Sequence, residues 1–560
     1  MKAHAIAGCL LFIFFLQAFL SLPTQSMTMD EINHFSAGYS YWKTNDFRLN
    51  PEHPPLIKLI SALPLLPLPL HSQFYGQRWE AAQKYSYELS TNTTNQYAWI
   101  HQFYFVDNDA YREKILSLSR IPMVLLGVLL GFIIYLFARD LYGSKAALLS
   151  LTLYAFSPNF LAHTRYVTTD VGVACFSLLA IWRFYHYVKN PTLKEQLFTG
   201  AGLGLALASK FTAVYLLPIM GAVVFLQPHT KRNYKTLFKQ LMIILCMAAL
   251  VLTLSYGIIN IGRYFEGLSF VITHSSEGHP AYLLGQHSSQ GWWYYFIIAF
   301  FVKTPIPTIL IFLLSIIIAA RMKNTAWKEE IFLIIPMAVF LGSFLISHLN
   351  IGIRHIFPFY AFMFVYAGKA VFFNHRLRTI ALSVLLAWLI SGTVMISPHY
   401  LSYFNILGGG PARGSEILID SNIDWGQDIG RIPQWAKTRG IEKVNLALFG
   451  SDKSAYEQLS FEELGCYPKN GIAVISISKL RGIYEDEIGC YTWLEGYPLL
   501  DRIGYSINVF NITNVTVDEH QQLCETYCPG ICESKKLIYF GSYYKEKCIC
   551  DCRKPLRIQE

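Results

Sequence analysis

The sequence predicts a polytopic α-helical membrane protein that carries an α/β domain and a cysteine-rich tail toward its C-terminal end. Three observations lead there. Hydrophobic residues make up 53% of the 560 and charged residues only 15%, too apolar a balance for a water-soluble chain of this length. The apolar residues gather into blocks of roughly 17 to 25, the length that crosses a hydrocarbon core as a helix. The Lys and Arg behind the net charge of +9 fall mainly between those blocks and form no basic, aromatic-rich domain, which argues against a nucleic-acid partner.

In chain order the blocks lie at 5–22, 118–138, 146–162, 171–188, 196–209, 211–227, 237–260, 293–320, 330–347, 356–372 and 379–397, which gives about eleven expected spans within a membrane body of residues 1–397. The first block also suits a cleaved signal peptide, since Lys2 precedes an apolar stretch ending at Ser21-Leu22-Pro23, although no small-x-small cleavage site is evident. Either way, the chain after Pro23 is expected outside. The short loops 139–145, 189–195, 228–236, 321–329 and 373–378 then face inward, and each holds Lys or Arg, the positive-inside pattern. The expected location is a multi-pass plasma membrane, or the endoplasmic reticulum membrane in a eukaryotic cell.

This topology leaves three large external segments, 23–117, 261–292 and 398–560. Within the last, Lys443 to Phe449, Ile472 to Ile477 and Tyr505 to Phe510 read as strands and Asp428 to Arg439 as a helix, so 398–515 is expected to be a small α/β unit. Residues 516–560 form the tail, where Cys524, Cys528, Cys532, Cys548, Cys550 and Cys552 crowd together. Such spacing suits disulfides or a thiolate metal site, and an external compartment favours disulfides. Cys466 and Cys490 lie in the α/β unit itself.

The same topology picks out residues with chemistry to offer. Asp30-Glu31 is a carboxylate pair just beyond the first span, and Asn50-Pro51-Glu52-His53-Pro54-Pro55 is a rigid turn that presents Glu52 and His53 ahead of an apolar helix containing Lys58. Asp170 opens a helix, where capping and the macrodipole also favour an acid. Arg165, Lys210 and Arg354 break the positive-inside bias at external helix ends, and Lys303 sits inside the eighth block. A cation on the disfavoured side either snorkels to headgroups or holds an anion. His274, Glu277, His279 and His287 in the 261–292 segment could ligate a divalent metal, though their spacing matches no defined zinc pattern.

External carboxylates opposed by external cations on a thick membrane body describe a place where an anionic, lipid-held donor meets an acceptor hydroxyl. Nucleotide sugars and ATP are cytosolic, and the sequence has no Gly-rich phosphate loop of the Walker kind, so a polyprenyl-phosphate sugar is the expected donor. Transfer needs a base for the acceptor's proton and positive groups for the departing phosphate. Because phosphate leaves without a proton, one carboxylate suffices, which favours inverting single displacement over a two-carboxylate retaining scheme.

Asp30-Glu31, the Asn50 to Lys58 proline motif, Thr169-Asp170, Ser209-Lys210-Phe211-Thr212 and Arg354-His355 together resemble the GT-C superfamily. More closely, the chain is similar to the phospholipid-carrier-dependent transferases related to protein O-mannosyltransferases and to the bacterial aminoarabinose-to-lipid-A transferase. The likeness covers about the first 450 residues, including Tyr403 to Pro411 and Asp420 to Asp428, and the cysteine-rich tail lies outside it. The resemblance implies that Asp30 is the base or acceptor-orienting carboxylate, with Glu31 beside it, and that Asp170 is a second acidic position. It further implies that Lys210, Arg354, Lys303, Arg165 and His53 are candidates for the donor phosphate. In that family a Lys follows the Glu matched by Glu52, whereas His53 stands here. Glu52, His274, His279 and His355 are the candidate ligands of an optional divalent metal. The implied partners are a polyprenyl-phosphate sugar, a protein, glycan or lipid acceptor, and the bilayer. Two other classes fit less well: a transporter or flippase would place its ionisable groups near the midplane instead of at one face, and a scaffold would have no use for Asp30, Asp170 and Arg354.

Overall fold

The computed structural model describes residues 2–82, 96–226, 234–321, 327–373, 378–466, 468–483, 488–513, 538–545 and 547–553. Within these, six helical stretches are long and apolar enough to cross a bilayer: Lys2–Thr24, Asp109–Tyr142, Asp170–Lys189, Lys235–Ser255, Ile353–Phe372 and Arg378–Ile396. A bent pair, Tyr295–Lys303 with Ile306–Arg321, makes a seventh if it is counted as one span. This is fewer than the eleven expected, and the differences have local causes.

The apolar block at 293–320 is cut by Thr304-Pro305. Proline cannot donate to the helix and pushes the preceding residue out of the helical region, so Thr304 is extended (φ −87°, ψ 133°) and the pair is bent by 112° at the break. The block at 146–162 is likewise two helices, Ser144–Ala155 and Pro158–His163, with Pro158 opening the second. Leu193–Leu207 and Leu216–Leu226 are shorter than a bilayer crossing, and Trp327–Leu345 starts with Lys328, Glu329 and Glu330. Hydropathy sees an apolar run in each case. It does not see whether the apolar face meets lipid or another helix.

The chain between the first two spans folds onto the bundle as helices, among them Glu31–Thr44 and Leu56–Ala62. These two touch backbone to backbone: a Cβ on Gly38 would sit 2.0 Å from the carbonyl oxygen of Lys58, so only glycine permits the approach. Behind them a separate apolar cluster forms, with Phe35, Tyr39, Trp99 and Phe103 at its centre. Glu31 locks the layer to the long helix Arg112–Tyr142 through Arg120, whose Nε and Nη2 donate to its two oxygens at 2.8 and 2.6 Å.

Strands β1 (Ala281–Leu283) and β2 (Gln286–Ser288) form a short hairpin over the bundle. The C-terminal domain is a five-stranded mixed sheet of β3 (Lys443–Ala447), β4 (Ser460–Glu463), β5 (Gly471–Ser476), β6 (Leu499–Ile503) and β7 (Ile507–Ile512) in the order β4-β3-β5-β7-β6. The expected strands correspond to β3, β5 and β7. Strands β4 and β6 were not anticipated, because Ser460-Phe461-Glu462-Glu463 and Leu499 to Ile503 are short and partly exposed at the two sheet edges. The expected helix narrows to Ile432–Thr438, preceded by a tight turn at Ile429–Arg431. Cys466 and Cys490 form a disulfide in this domain. Cys524, Cys528 and Cys532 lie outside the described residues. Cys548, Cys550 and Cys552 fall on a strand, Lys547–Arg553, that pairs with Ile538–Lys545.

The segment 420–428 joins sheet to bundle. Met29 and Ser26 donate their backbone N–H groups to the carbonyls of Trp425 (3.1 Å) and Gln427 (2.8 Å), and Asp424 accepts from the Ser478 N–H at 2.8 Å. The stretch just after the first span is therefore held from the far side by the C-terminal domain.

Candidate active site

Four charged side chains from four helix junctions meet beside a cavity of about 700 Å³, three of them lining it (Asp30, Lys210 and Arg354) and Asp170 buried behind them. Asp30 sits at the N-cap of helix Glu31–Thr44 and Asp170 is the first residue of its span. Lys210 occupies the extended link before the turn Phe211–Tyr215, and Arg354 lies in the turn Ile353–Ile356 ahead of the next apolar helix. Arg354 Nη1 donates to Asp30 Oδ2 at 2.9 Å and lies 3.6 Å from Asp170 Oδ2, while Lys210 Nζ donates to Asp170 Oδ1 at 2.5 Å. The result is a row of alternating charge: Asp30, Arg354, Asp170, Lys210.

The two carboxylates are not equivalent. The Asp170 side chain is 2% exposed and holds both cations, whereas that of Asp30 is 31% exposed and meets Arg354 alone. Asp30 is thus the one open to an incoming molecule. Trp425 backs the row, its ring centroid 4.1 Å from the Arg354 guanidinium carbon, a stacking that fixes the plane of the arginine.

Next to this row the Asn50 to Pro55 turn is held from behind by Lys58. Its Nζ donates to the carbonyls of Asn50 (2.6 Å) and His53 (2.7 Å) and to the Tyr41 hydroxyl (2.9 Å), and burial pulls the amine down to about 7. Glu52 receives the Asn50 side-chain amide at 2.9 Å and that of Gln96 at 3.0 Å, and burial raises its carboxyl. His53 faces the cavity beside His34, with ring centroids 5.2 Å apart. Burial brings His34 down to about 4 and His53 well below the usual imidazole range, so both are neutral near pH 7.

The remaining expected site residues divide sharply. His274, His279 and His355 line the cavity. Lys303 does not: its Nζ is spent on the carbonyls of Leu401 (2.7 Å) and Asn422 (2.5 Å). Arg165 donates to the Pro398 carbonyl at 3.0 Å between the rings of Tyr166 and Tyr400, away from the cavity. Both cations stitch the body to the 398–422 segment, whose turns leave backbone carbonyls without partners of their own. Glu31 is also turned away. Fully buried, it accepts from Arg120, from Thr28 N (2.9 Å) and from Val167 N (3.1 Å).

Glu52, His274, His279 and His355 do not assemble as a metal site. Among the described residues no group of three or more His, Cys, Asp or Glu is placed to hold a metal ion. Glu52 is instead engaged by two amides, so its surroundings fit a hydrogen-bonded carboxylate better than a ligand.

Three residues contribute in ways the sequence reading did not assign. Lys58 shapes the turn, Trp425 braces Arg354, and Asp420, its carboxyl pushed up to about 6 by burial, faces Arg354 and His279 electrostatically. A lysine inside Leu56-Ile57-Lys58-Leu59-Ile60 was the available signal for the first, since a cation in an apolar helix needs acceptors nearby.

Residues 116–256 match the family described as dolichyl-phosphate-mannose-protein mannosyltransferase. An uncharacterized protein of Aquifex aeolicus (strain VF5) is 38% identical over 104 residues, a stretch that covers 18% of this chain and 20% of that protein. The chain therefore matches about a fifth of the length of this curated relative. Among solved structures, similarity extends to ArnT from Cupriavidus metallidurans bound to undecaprenyl phosphate, at 12% identity and a TM-score of 0.48 over 90% of this chain and 98% of that one. The Archaeoglobus fulgidus oligosaccharyltransferase matches at 12% identity and 0.47 over 78% and 58%. The S. cerevisiae Pmt1-Pmt2 complex bound to the sugar donor matches at 19% and 0.32 over 48% and 34%. Residues 116–256, which include Asp170 and Lys210, thus carry the sequence pattern of the dolichyl-phosphate-mannose-protein mannosyltransferase family, in line with the resemblance drawn from Thr169-Asp170 and Ser209-Lys210-Phe211-Thr212.

Proposed function

We propose that this protein transfers a sugar from a polyprenyl-phosphate-linked donor to an acceptor hydroxyl at the extracytoplasmic face of the membrane, by single displacement with inversion. The observation that carries the reading is the row Asp30, Arg354, Asp170, Lys210, in which Asp30, Arg354 and Lys210 line the cavity and Asp170 is buried behind them.

The donor is a phosphodiester with one negative charge. Its phosphate takes up hydrogen bonds from Lys210 and Arg354, and in doing so competes with Asp30 for the guanidinium. Asp30 is then free to accept a proton. As the acceptor oxygen attacks the anomeric carbon, its proton passes to Asp30 and the bond between that carbon and the phosphate oxygen breaks. The electron pair leaves on the phosphate, which becomes a polyprenyl monophosphate of higher charge. Lys210 and Arg354 stabilise that added charge, so they bind the transition state more tightly than the donor. Asp170 keeps both cations in place and transfers no proton.

Mass spectrometry of glycoconjugates from cells with and without the gene tests the reading, combined with transfer by the purified protein in lipid vesicles. A glycan lost with the gene, and formed in vitro with the anomeric configuration opposite to that of the donor, is the expected result. Unchanged glycoconjugates together with movement of intact donor across the vesicle membrane would identify a flippase instead.

A further inference from the structure

A second, open recess of about 420 Å³ lies where the span Arg378–Ile396 meets the C-terminal sheet, and none of the residues around it lines the cavity. Three guanidinium groups border it: Arg431 from the turn Ile429–Arg431, Arg439 just after helix Ile432–Thr438, and Arg502 on β6, together with His399, Trp435 and Asp501. His399 comes just after the span and donates its backbone N–H to the Ile396 carbonyl at 2.7 Å, so the recess opens beside the span's last turn. Val394 and Met395 on that turn are 60% and 85% exposed, apolar side chains whose natural surroundings are lipid tails.

The acids of this region are already satisfied. Asp501 accepts from Trp435 Nε1 (2.8 Å), Arg439 Nη2 (2.6 Å) and the Arg502 backbone N–H (2.8 Å). Asp428, buried behind the recess, accepts from Ser506 Oγ (2.7 Å) and Gln427 Nε2 (3.2 Å) and is ion-paired at 3.0 Å with Arg431 Nε. Gly504 makes room for it, since a Cβ there would fall 2.1 Å from the Asp428 carboxyl carbon. The cations keep capacity to spare. Arg502 gives one side-chain hydrogen bond, from Nη1 to the Ala412 carbonyl at 2.8 Å, and Arg431 Nη2 has no hydrogen-bond partner among the described residues. Three guanidiniums against two carboxylates leave one positive charge over, and the neighbouring Arg413–Glu416 pair adds none. A phosphodiester carries the one negative charge that balances this excess, and planar guanidinium forks bind phosphate oxygens two at a time.

We infer that this recess binds the phosphate of an anionic phospholipid from the leaflet on the side of the C-terminal domain. The position argues for a lipid over a soluble phosphate: the acyl chains run along Val394 and Met395 while the headgroup reaches Arg431 and Arg502. Such a lipid fastens sheet to bundle, because Arg431 belongs to the joint, Arg502 to β6 and His399 to the end of the span. The inference is independent of the transfer reading.

Purified full-length protein in an uncharged detergent, mixed with phosphatidylglycerol, phosphatidylcholine or inorganic phosphate, tests the site, with binding read by native mass spectrometry and by the rise in unfolding midpoint. Wild type is expected to bind phosphatidylglycerol about tenfold more tightly than phosphatidylcholine, and Arg431→Gln/Arg502→Gln to lose that preference. Arg502→Gln alone, which leaves the Arg431–Asp428 pair in place and so controls for folding, should lose about threefold. Lys443→Gln/Lys469→Gln, which removes two cations paired with Glu462 outside the recess, should keep the full preference. Equal losses in the two double variants, or no preference between the two lipids in wild type, overturns the site. Binding of inorganic phosphate that phosphatidylglycerol does not displace, lost in Arg431→Gln/Arg502→Gln, overturns the lipid and identifies a soluble phosphate as the occupant.

Discussion

Asp30 and Glu31 are adjacent acids, and the structure uses them in opposite ways. Glu31 is fully buried, receives both arms of Arg120 and two backbone N–H groups, and ties helix Glu31–Thr44 to the long helix behind it. Asp30, one residue earlier, is partly exposed at the cavity and holds a single partner, Arg354, that a phosphate could take from it. The difference is one step of helix phase: a 100° turn puts one carboxylate in the body and its neighbour in the site. An acid with every lone pair satisfied stabilises, and an acid with capacity to spare is available for chemistry.

Substitutions at the two positions should therefore separate. Asp30→Asn is expected to lower transfer by about 10² to 10⁴, the usual contribution of a positioned base, with the thermal midpoint unchanged. Glu31→Gln should do the reverse. It leaves Arg120 buried beside a neutral amide, a loss on the order of 3–5 kcal/mol in stability, seen as a lowered unfolding midpoint with the turnover of the surviving folded fraction retained. A fall in both quantities for both variants would erase the contrast. Lys210→Met removes one of the two cations proposed to face the phosphate and should cost about 10² to 10³ in turnover, measured as release of polyprenyl phosphate at saturating acceptor.

The smallest effect concerns the joint between sheet and bundle. Burial pushes the Asp424 carboxyl up to about 7, so its folded value lies above that of the unfolded chain. Its contribution to stability is fully present below the unfolded value near pH 4 and is lost as pH rises through about 7. The unfolding midpoint of the wild type should fall across that interval relative to Asp424→Asn, in which the residue does not titrate. Parallel profiles for the two proteins would show that Asp424 is ionised in both states.

Much of the site's membership was legible because topology filters sequence. Asp30, Asp170, Lys210 and Arg354 each fall at an expected external helix end, and the structure joins all four in one chain of ion pairs. Lys303 and Arg165 passed the same filter, yet they bind carbonyls of Leu401, Asn422 and Pro398, residues more than 90 positions away in the chain. No local pattern reports a partner at that separation. The number of spans was overestimated for a related reason, since Leu193–Leu207 and the two halves around Thr304 are apolar without being long straight crossings. Strands β4 and β6 escaped notice because edge strands carry little periodic burial.

In the proposed mechanism Asp30 takes the acceptor's proton while Lys210 and Arg354 hold the phosphate. The most direct test of this mechanism compares donor binding and polyprenyl phosphate release for Asp30→Asn and wild type in the same vesicles. Asp30→Asn is expected to bind the polyprenyl-phosphate sugar with wild-type affinity or tighter, since Arg354 is released from its partner, and to fail to discharge it. Release of polyprenyl phosphate at the wild-type rate by Asp30→Asn would contradict it.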